Sequence, residues 1–169
     1  MHIVHKIYVA FEKGNEVRAV FLDISKAFDR VWHRGLLVKL SSTGGEGNLL
    51  TWFASYLSNR KQRVVIEGVH CDWRNIEAGV PQGSVLGPLL ILIYVNDLPS
   101  SVISNCLLLA DDCLLLVEVL SPRICASILN YDLALISSWA NRWLVTMNAA
   151  NIKSMIFSSK RVKPDHPLR

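Results

Sequence analysis

The stretch "LLLADDCLLL", Leu107 to Leu116, sets Asp111 and Asp112 side by side between runs of leucine. Burying an unpaired carboxylate is costly or forces it to take up a proton, so both acids need solvent, a base or a metal while the leucines leave water. Two strands flanking the acids, with the acids at or near a hairpin turn, meet that demand. A chain of 169 residues that is 51% hydrophobic supplies a core for one globular domain. Its longest apolar runs, such as "VLGPLLILIYV" from Val85 to Val95, fall short of the roughly 20 residues a bilayer-spanning helix requires. No membrane partner is expected. The start, "MHIVHKIYVAFEKG", has no small-residue cleavage site after a long apolar core, so the expected location is intracellular, nucleus or cytoplasm.

Strands and helices alternate along the rest of the chain. "RAVFLDI", Arg18 to Ile24, is a buried strand closed by an acid, and "SKAFDRVWHRGLLVKLSS" is a turn followed by a short helix. "GNLLTWFASYLSNR" carries Leu49, Trp52, Phe53, Tyr56 and Leu57 at helical spacing, which predicts one core-facing side. "QRVVIEG" and "CDWRNIEAG" form a hairpin joined through Gly68 and Val69. Leu89 to Val95 is a buried helix stopped at Pro99. Beyond Pro122, Ile124, Ile128, Tyr131, Leu135 and Trp139 stand at three-to-four spacing and predict a helix, and "NIKSMIFSS" adds a last strand. With no internal repeat, the pattern predicts an α+β layer architecture.

Cys71, Cys106, Cys113 and Cys125 include no CxxC pair, which disfavours a zinc knuckle and a disulfide framework and predicts reduced, mostly buried thiols. His2, His5, His33, His70 and His166 are scattered without metal-ligand spacing. A net charge of +4, part of it in the tail "SSKRVKPDHPLR", permits a polyanionic partner. Asp23 at the end of one strand and Asp111 with Asp112 in a later hairpin bring three carboxylates to one edge if the two strands are neighbours. Such a cluster suits Mg²⁺, which takes oxygen ligands and shares them with phosphates. Two such ions are an apparatus for in-line phosphoryl displacement. Each feature alone is more often structural: an Asp-Asp pair is ordinary turn chemistry, and "GVPQG" alone is a loop.

In combination and order, "AVFLDISKAFDRVWHRGLLVKL", "SYLSNRKQRVVIEG", "GVPQGSVLGPLLILIYVNDLP", "LADD" and "MNAANIKS" resemble the successive palm motifs of reverse transcriptases from non-long-terminal-repeat retrotransposons, the jockey-like group especially. The resemblance runs from about Arg18 to Ser159. It implies a polymerase palm-like antiparallel sheet with helices packed on one face, fingers and thumb largely missing. The chain then reads as one partial reverse transcriptase domain, 1–169, with its palm motifs at about 18–159 and a basic tail at 160–169.

The same resemblance implies RNA-directed DNA polymerase activity, with a primer 3′-hydroxyl attacking a dNTP on an RNA template by two-metal nucleotidyl transfer. Asp23, Asp111 and Asp112 would hold two Mg²⁺ ions, or Mn²⁺, with the backbone carbonyl of Ile24 as a further ligand. Lys153 matches the lysine proposed to protonate the departing pyrophosphate. Phe28, five residues after Asp23, matches the bulky residue that excludes a ribose 2′-hydroxyl. Pro81, Gln82 and Gly83 match the motif lying along the nascent base pair and template. Arg60, Lys61 and Arg63 offer phosphate contacts or a solvated edge. The sequence departs from the family's aromatic habit at Leu109, Ile91 and Met147. The implied partners are an RNA template, a DNA primer and dNTP substrate, with self-association through exposed apolar surface. The alternative is a truncated, non-catalytic mobile-element remnant that at most binds nucleic acid.

Overall fold

Glu16–Asp23 forms β1, a strand so rich in branched and apolar residues that it buries its side chains continuously from Glu16 to Val20. The computed structural model describes residues 2–119 and 122–159. In chain order the elements are α1 (His2–Glu12), β1, α2 (His33–Ser42), α3 (Gly47–Leu57), and the two-residue strands β2 (Lys61–Gln62), β3 (Val65–Ile66), β4 (Val69–His70) and β5 (Arg74–Asn75). Then follow α4 (Leu86–Val95), β6 (Asn105–Leu109), β7 (Asp112–Val119), α5 (Pro122–Arg142) and β8 (Lys153–Phe157). They gather into two compact units: α1, β1, β6, β7, α5 and β8 form the first, and α2 to α4 with β2 to β5 form the second. The basic tail at 160–169 lies outside the described residues. No helix among the described residues is long and apolar enough to cross a membrane.

The first unit is a four-stranded antiparallel sheet in the order β6-β7-β1-β8. Successive side chains of a strand point to opposite faces, so β1 needs cover on both sides. On one side Val17, Ala19 and Leu116 cluster with Ala10 of α1, and Ile7, Leu107, Leu114 and Phe157 pack against them. On the other, Arg18, Val20 and Leu22 stand opposite Val117, Leu115 and Cys113, and α5 packs along β7. Burial pushes the Cys125 thiol of α5 up, and the Arg18 charge opposes that rise. Helices therefore cover both faces of the sheet, where one face was expected. The physical reason is that β1 is apolar on both sides, and α1, which the sequence reading left without an element, covers the second.

The long helix is present as α5, and its buried stripe is offset from the apolar series at three-to-four spacing. Cys125, Leu129, Asp132, Ile136 and Trp139 are buried, whereas Ile124 and Tyr131 are exposed. A fully buried carboxylate sits in that stripe because it is satisfied: Asp132 accepts the backbone N–H groups of Ile103 at 2.8 Å and Ser104 at 3.1 Å. It thereby ties the helix to the loop that leads into β6.

In the second unit α2 packs against α3 and α4. Lys39 of α2 is buried, yet its ammonium donates to the Tyr94 carbonyl and lies 3.9 Å from the centroid of the Trp143 ring. Paired this way, a buried cation is tolerated. On α3 Phe53 and Leu57 are buried, while Leu49 and Trp52 are half exposed, so the expected inward face is only partly realised. In the hairpin β2 pairs with β5 and β3 with β4. Its turn falls on Glu67 and Gly68, with φ of 49° and 84°, and not on Gly68 and Val69. A two-residue turn of this kind needs positive φ at both centres, which a β-branched valine resists.

Candidate active site

The register of the first unit decides which acids meet. β1 and β7 run antiparallel with Asp23 directly opposite Asp112, and Asp112 also faces Leu109 across β6. Ala110 and Asp111 make the turn between β6 and β7, with Ala110 left-handed at φ 56°. Opposed residues in an antiparallel pair share a face, so Asp23 and Asp112 lie together, and Lys153, paired with Phe21 two positions away, lies on that face too. Asp23, Asp112, Lys153 and Asn151 line one cavity of about 840 Å³ whose remaining wall is mostly leucine. The strand alternation that brings Asp112 to this face separates it from Asp111, which stays half-buried in the turn. Two of the three expected carboxylates are thus opposed, and the third adjoins them.

Asp23 is held by residues the sequence reading did not single out. The side-chain amides of Asn148 and Asn151 both donate to its Oδ2, at 2.9 and 2.7 Å. The Asn148 backbone N–H donates to the Asp23 carbonyl at 2.8 Å, and the Ser25 N–H donates to Thr146 at 2.8 Å. These two bonds flank the Ile24 to Met147 bridge, making it a wide pair in which the Ile24 carbonyl points away from Met147. The only sequence signal was a pair of asparagines three apart in "MNAANIKS", just before Lys153.

Among the described residues, no group of three or more His, Cys, Asp or Glu side chains closes around an ion. The donors at this end of the sheet are carboxylates and a backbone carbonyl, all hard oxygens. That set fits Mg²⁺, which keeps several waters and binds through one or two carboxylates plus substrate phosphates.

The second unit gathers the other expected residues. The Gly79 N–H donates to the Val31 carbonyl at 2.8 Å, and the Val80 N–H donates to the Phe28 carbonyl at 2.7 Å. Gly79 has φ 87°, and a Cβ there would lie 2.7 Å from the Asp29 carbonyl oxygen, so only glycine fits. This close approach brings Phe28 beside the segment carrying Pro81, Gln82 and Gly83. Gln82 Nε2 donates to Asp29 Oδ1 at 3.1 Å. Lys26, Arg30, Arg60, Pro81 and Gln82 line a groove of about 570 Å³. Of the basic trio, Lys61 and Arg63 are outside that groove, and Arg63 stacks 4.6 Å over the Trp73 ring.

A profile of the family described as "Reverse transcriptase (RNA-dependent DNA polymerase)" matches residues 1–163. The chain belongs to the reverse transcriptase family. Among curated relatives it is 34% identical over 167 residues to the probable RNA-directed DNA polymerase from transposon X-element of Drosophila melanogaster, covering 96% of this chain and 18% of that protein. It is 35% identical over 169 residues to the RNA-directed DNA polymerase from mobile element jockey of Drosophila funebris, covering 93% of this chain and 18% of that protein. The chain thus spans less than a fifth of the length of these reverse transcriptases. Among solved structures, apo telomerase from Candida Tropicalis matches 95% of this chain and 36% of its own, with a TM-score of 0.70 at 14% identity. That likeness shows the fold: a polymerase palm-type antiparallel sheet with helices. Reverse transcriptases as a family work with divalent metal ions.

Proposed function

We propose that this chain is the palm-centred catalytic part of a retrotransposon RNA-directed DNA polymerase, adding dNTPs to a DNA primer on an RNA template. The observation that carries the reading is the register pairing Asp23 with Asp112 on one face, with Lys153 on the same face and Asp111 in the adjoining turn. A telomerase from Candida albicans solved with a fragment of telomeric RNA, 13% identical with a TM-score of 0.52, adds support for a nucleic acid template.

Asp23, Asp111 and Asp112, with the Ile24 carbonyl, would hold two Mg²⁺ ions, or Mn²⁺ in their place. When bound, such ions supply activation of the primer hydroxyl and neutralise charge on the departing pyrophosphate. The chain's own part is positioning. Asn148 and Asn151 occupy Oδ2 of Asp23 and so fix the direction of its other oxygen. Lys153 donates a proton to the leaving pyrophosphate. Phe28 closes the sugar pocket against a 2′-hydroxyl, and Pro81, Gln82 and Gly83 support the template base pair. Gln82 is oriented for this by Asp29. Exposed apolar side chains on the β2 to β5 hairpin support self-association of the isolated chain.

Primer extension on an RNA template tests the reading. The double variant Asp111→Ala, Asp112→Ala should lose roughly a hundredfold or more of the incorporation rate. Phe28→Val should retain extension and gain ribonucleotide use. Equal incorporation by the double variant and the parent chain contradicts the assignment.

A further inference from the structure

The turn that carries Asp111 is flanked by two cysteines, Cys106 in β6 and Cys113 in β7, whose sulfur atoms lie 3.3 Å apart. Cys106 stands opposite Leu115 and Cys113 opposite Leu108, so the two are diagonal neighbours on one face of the hairpin. That face is the one opposite Asp112. The thiols therefore lie on the sheet face opposite the Asp112 side chain, although Cys113 also contributes to the wall of the cavity that Asp23 and Asp112 line. Cys113 is buried and Cys106 half-buried, which leaves Cys106 as the sulfur a small oxidant can reach.

We propose that Cys106 and Cys113 form a redox-active pair that closes reversibly into a cross-strand disulfide under a peroxide oxidant. The Cys106 sulfur attacks hydrogen peroxide, breaking the O–O bond, becoming a sulfenic acid and releasing one water. The Cys113 sulfur then displaces the sulfenic oxygen, which leaves with the thiol proton as a second water. Two thiols lose two electrons in all, and the peroxide is reduced to two waters. The hydrogen bond with Cys113 holds the Cys106 thiol below its ordinary value against the effect of burial, which favours Cys106 as the first sulfur to react.

Diagonal positions lie farther apart than opposed ones, so closure must twist the paired strands β6 and β7 about the two sulfurs. A bond made under that strain is easily reduced again, as befits a switch rather than a staple. The segment that must adjust is the short turn between the cysteines, Ala110 and Asp111, already left-handed at Ala110. The thiol chemistry stands without the polymerase reading.

The test is to treat the 169-residue chain carrying Cys71→Ser, which removes the exposed competing thiol, with hydrogen peroxide, followed by peptide mass mapping without reduction. The expected result is a Cys106–Cys113 linkage with loss of two hydrogens, fully reversed by a thiol reductant. In the further variant Cys113→Ser, Cys106 should stop at the sulfenic acid and be captured by dimedone. A linkage of Cys106 to Cys125, oxidation of Cys106 to the sulfinic acid with Cys113 intact, or no reaction at Cys106 in the folded chain overturns the proposal. Because the readout is mass and not incorporation, failure here is distinct from failure of the polymerase reading.

Discussion

β1 and the β2 to β5 hairpin are both short antiparallel constructions, but one is covered and the other is bare. β1 is paired on both edges, by β7 and β8, and is packed by α1 on one face, while α5 packs on the neighbouring β7. The hairpin is held by four cross-strand pairs, and Val64, Val65, Ile66, Val69 and Trp73 all stand more than half exposed. The difference teaches where each part gets its geometry. Asp23 is placed by a strand that packing over-determines, whereas the hairpin keeps its form through its turn and its four cross-strand pairs while its apolar side chains stay exposed.

Truncation is the strongest way to break this contrast. Leu115 is fully buried opposite Val20, so Leu115→Ala should cost about 2–5 kcal/mol of unfolding free energy in a urea titration. A loss below about 1 kcal/mol would place the sheet in the same class as the hairpin.

Arg18 sharpens the comparison from the opposite direction. It is 2% exposed in β1, and its Nε and Nη1 find no hydrogen-bond partner among the described residues. An unsatisfied buried donor costs about 1–3 kcal/mol, so Arg18→Met should raise stability by roughly 1–2 kcal/mol. Destabilisation in the same assay would mean that the guanidinium has a partner the fold depends on.

The smallest effect belongs to the hairpin. Ile66→Ser should leave unfolding free energy within about 0.5 kcal/mol of the parent while reducing concentration-dependent association in sedimentation. A large loss of stability would show that the hairpin's apolar tip is already covered within the chain.

Much of this arrangement was legible in the sequence. "RAVFLDI" and "LLLADDCLLL" hold three strands, β1, β6 and β7, and of the three acids expected at one edge Asp23 and Asp112 are opposed while Asp111 stays in the turn. The buried face of α5 does not follow from the apolar series at three-to-four spacing, because that periodicity counts only apolar letters. Cys125 and Asp132 are core positions there, the latter through backbone hydrogen bonds that no spacing rule reveals. The second helical cover of the sheet, α1, was missed for want of a cap or turn signal at its start. Asn148 and Asn151 were invisible as Asp23's partners because their pairing spans most of the chain and depends on β8 lying beside β1.

Direct measurement of Mn²⁺ binding by electron paramagnetic resonance tests the central claim, that Asp23 and Asp112 together form a cation site. Asp112 is exposed, so Asp112→Asn should fold as the parent does. The account predicts that Asp23→Asn and Asp112→Asn each weaken Mn²⁺ binding by roughly tenfold or more. Unchanged Mn²⁺ affinity in both folded variants would contradict it.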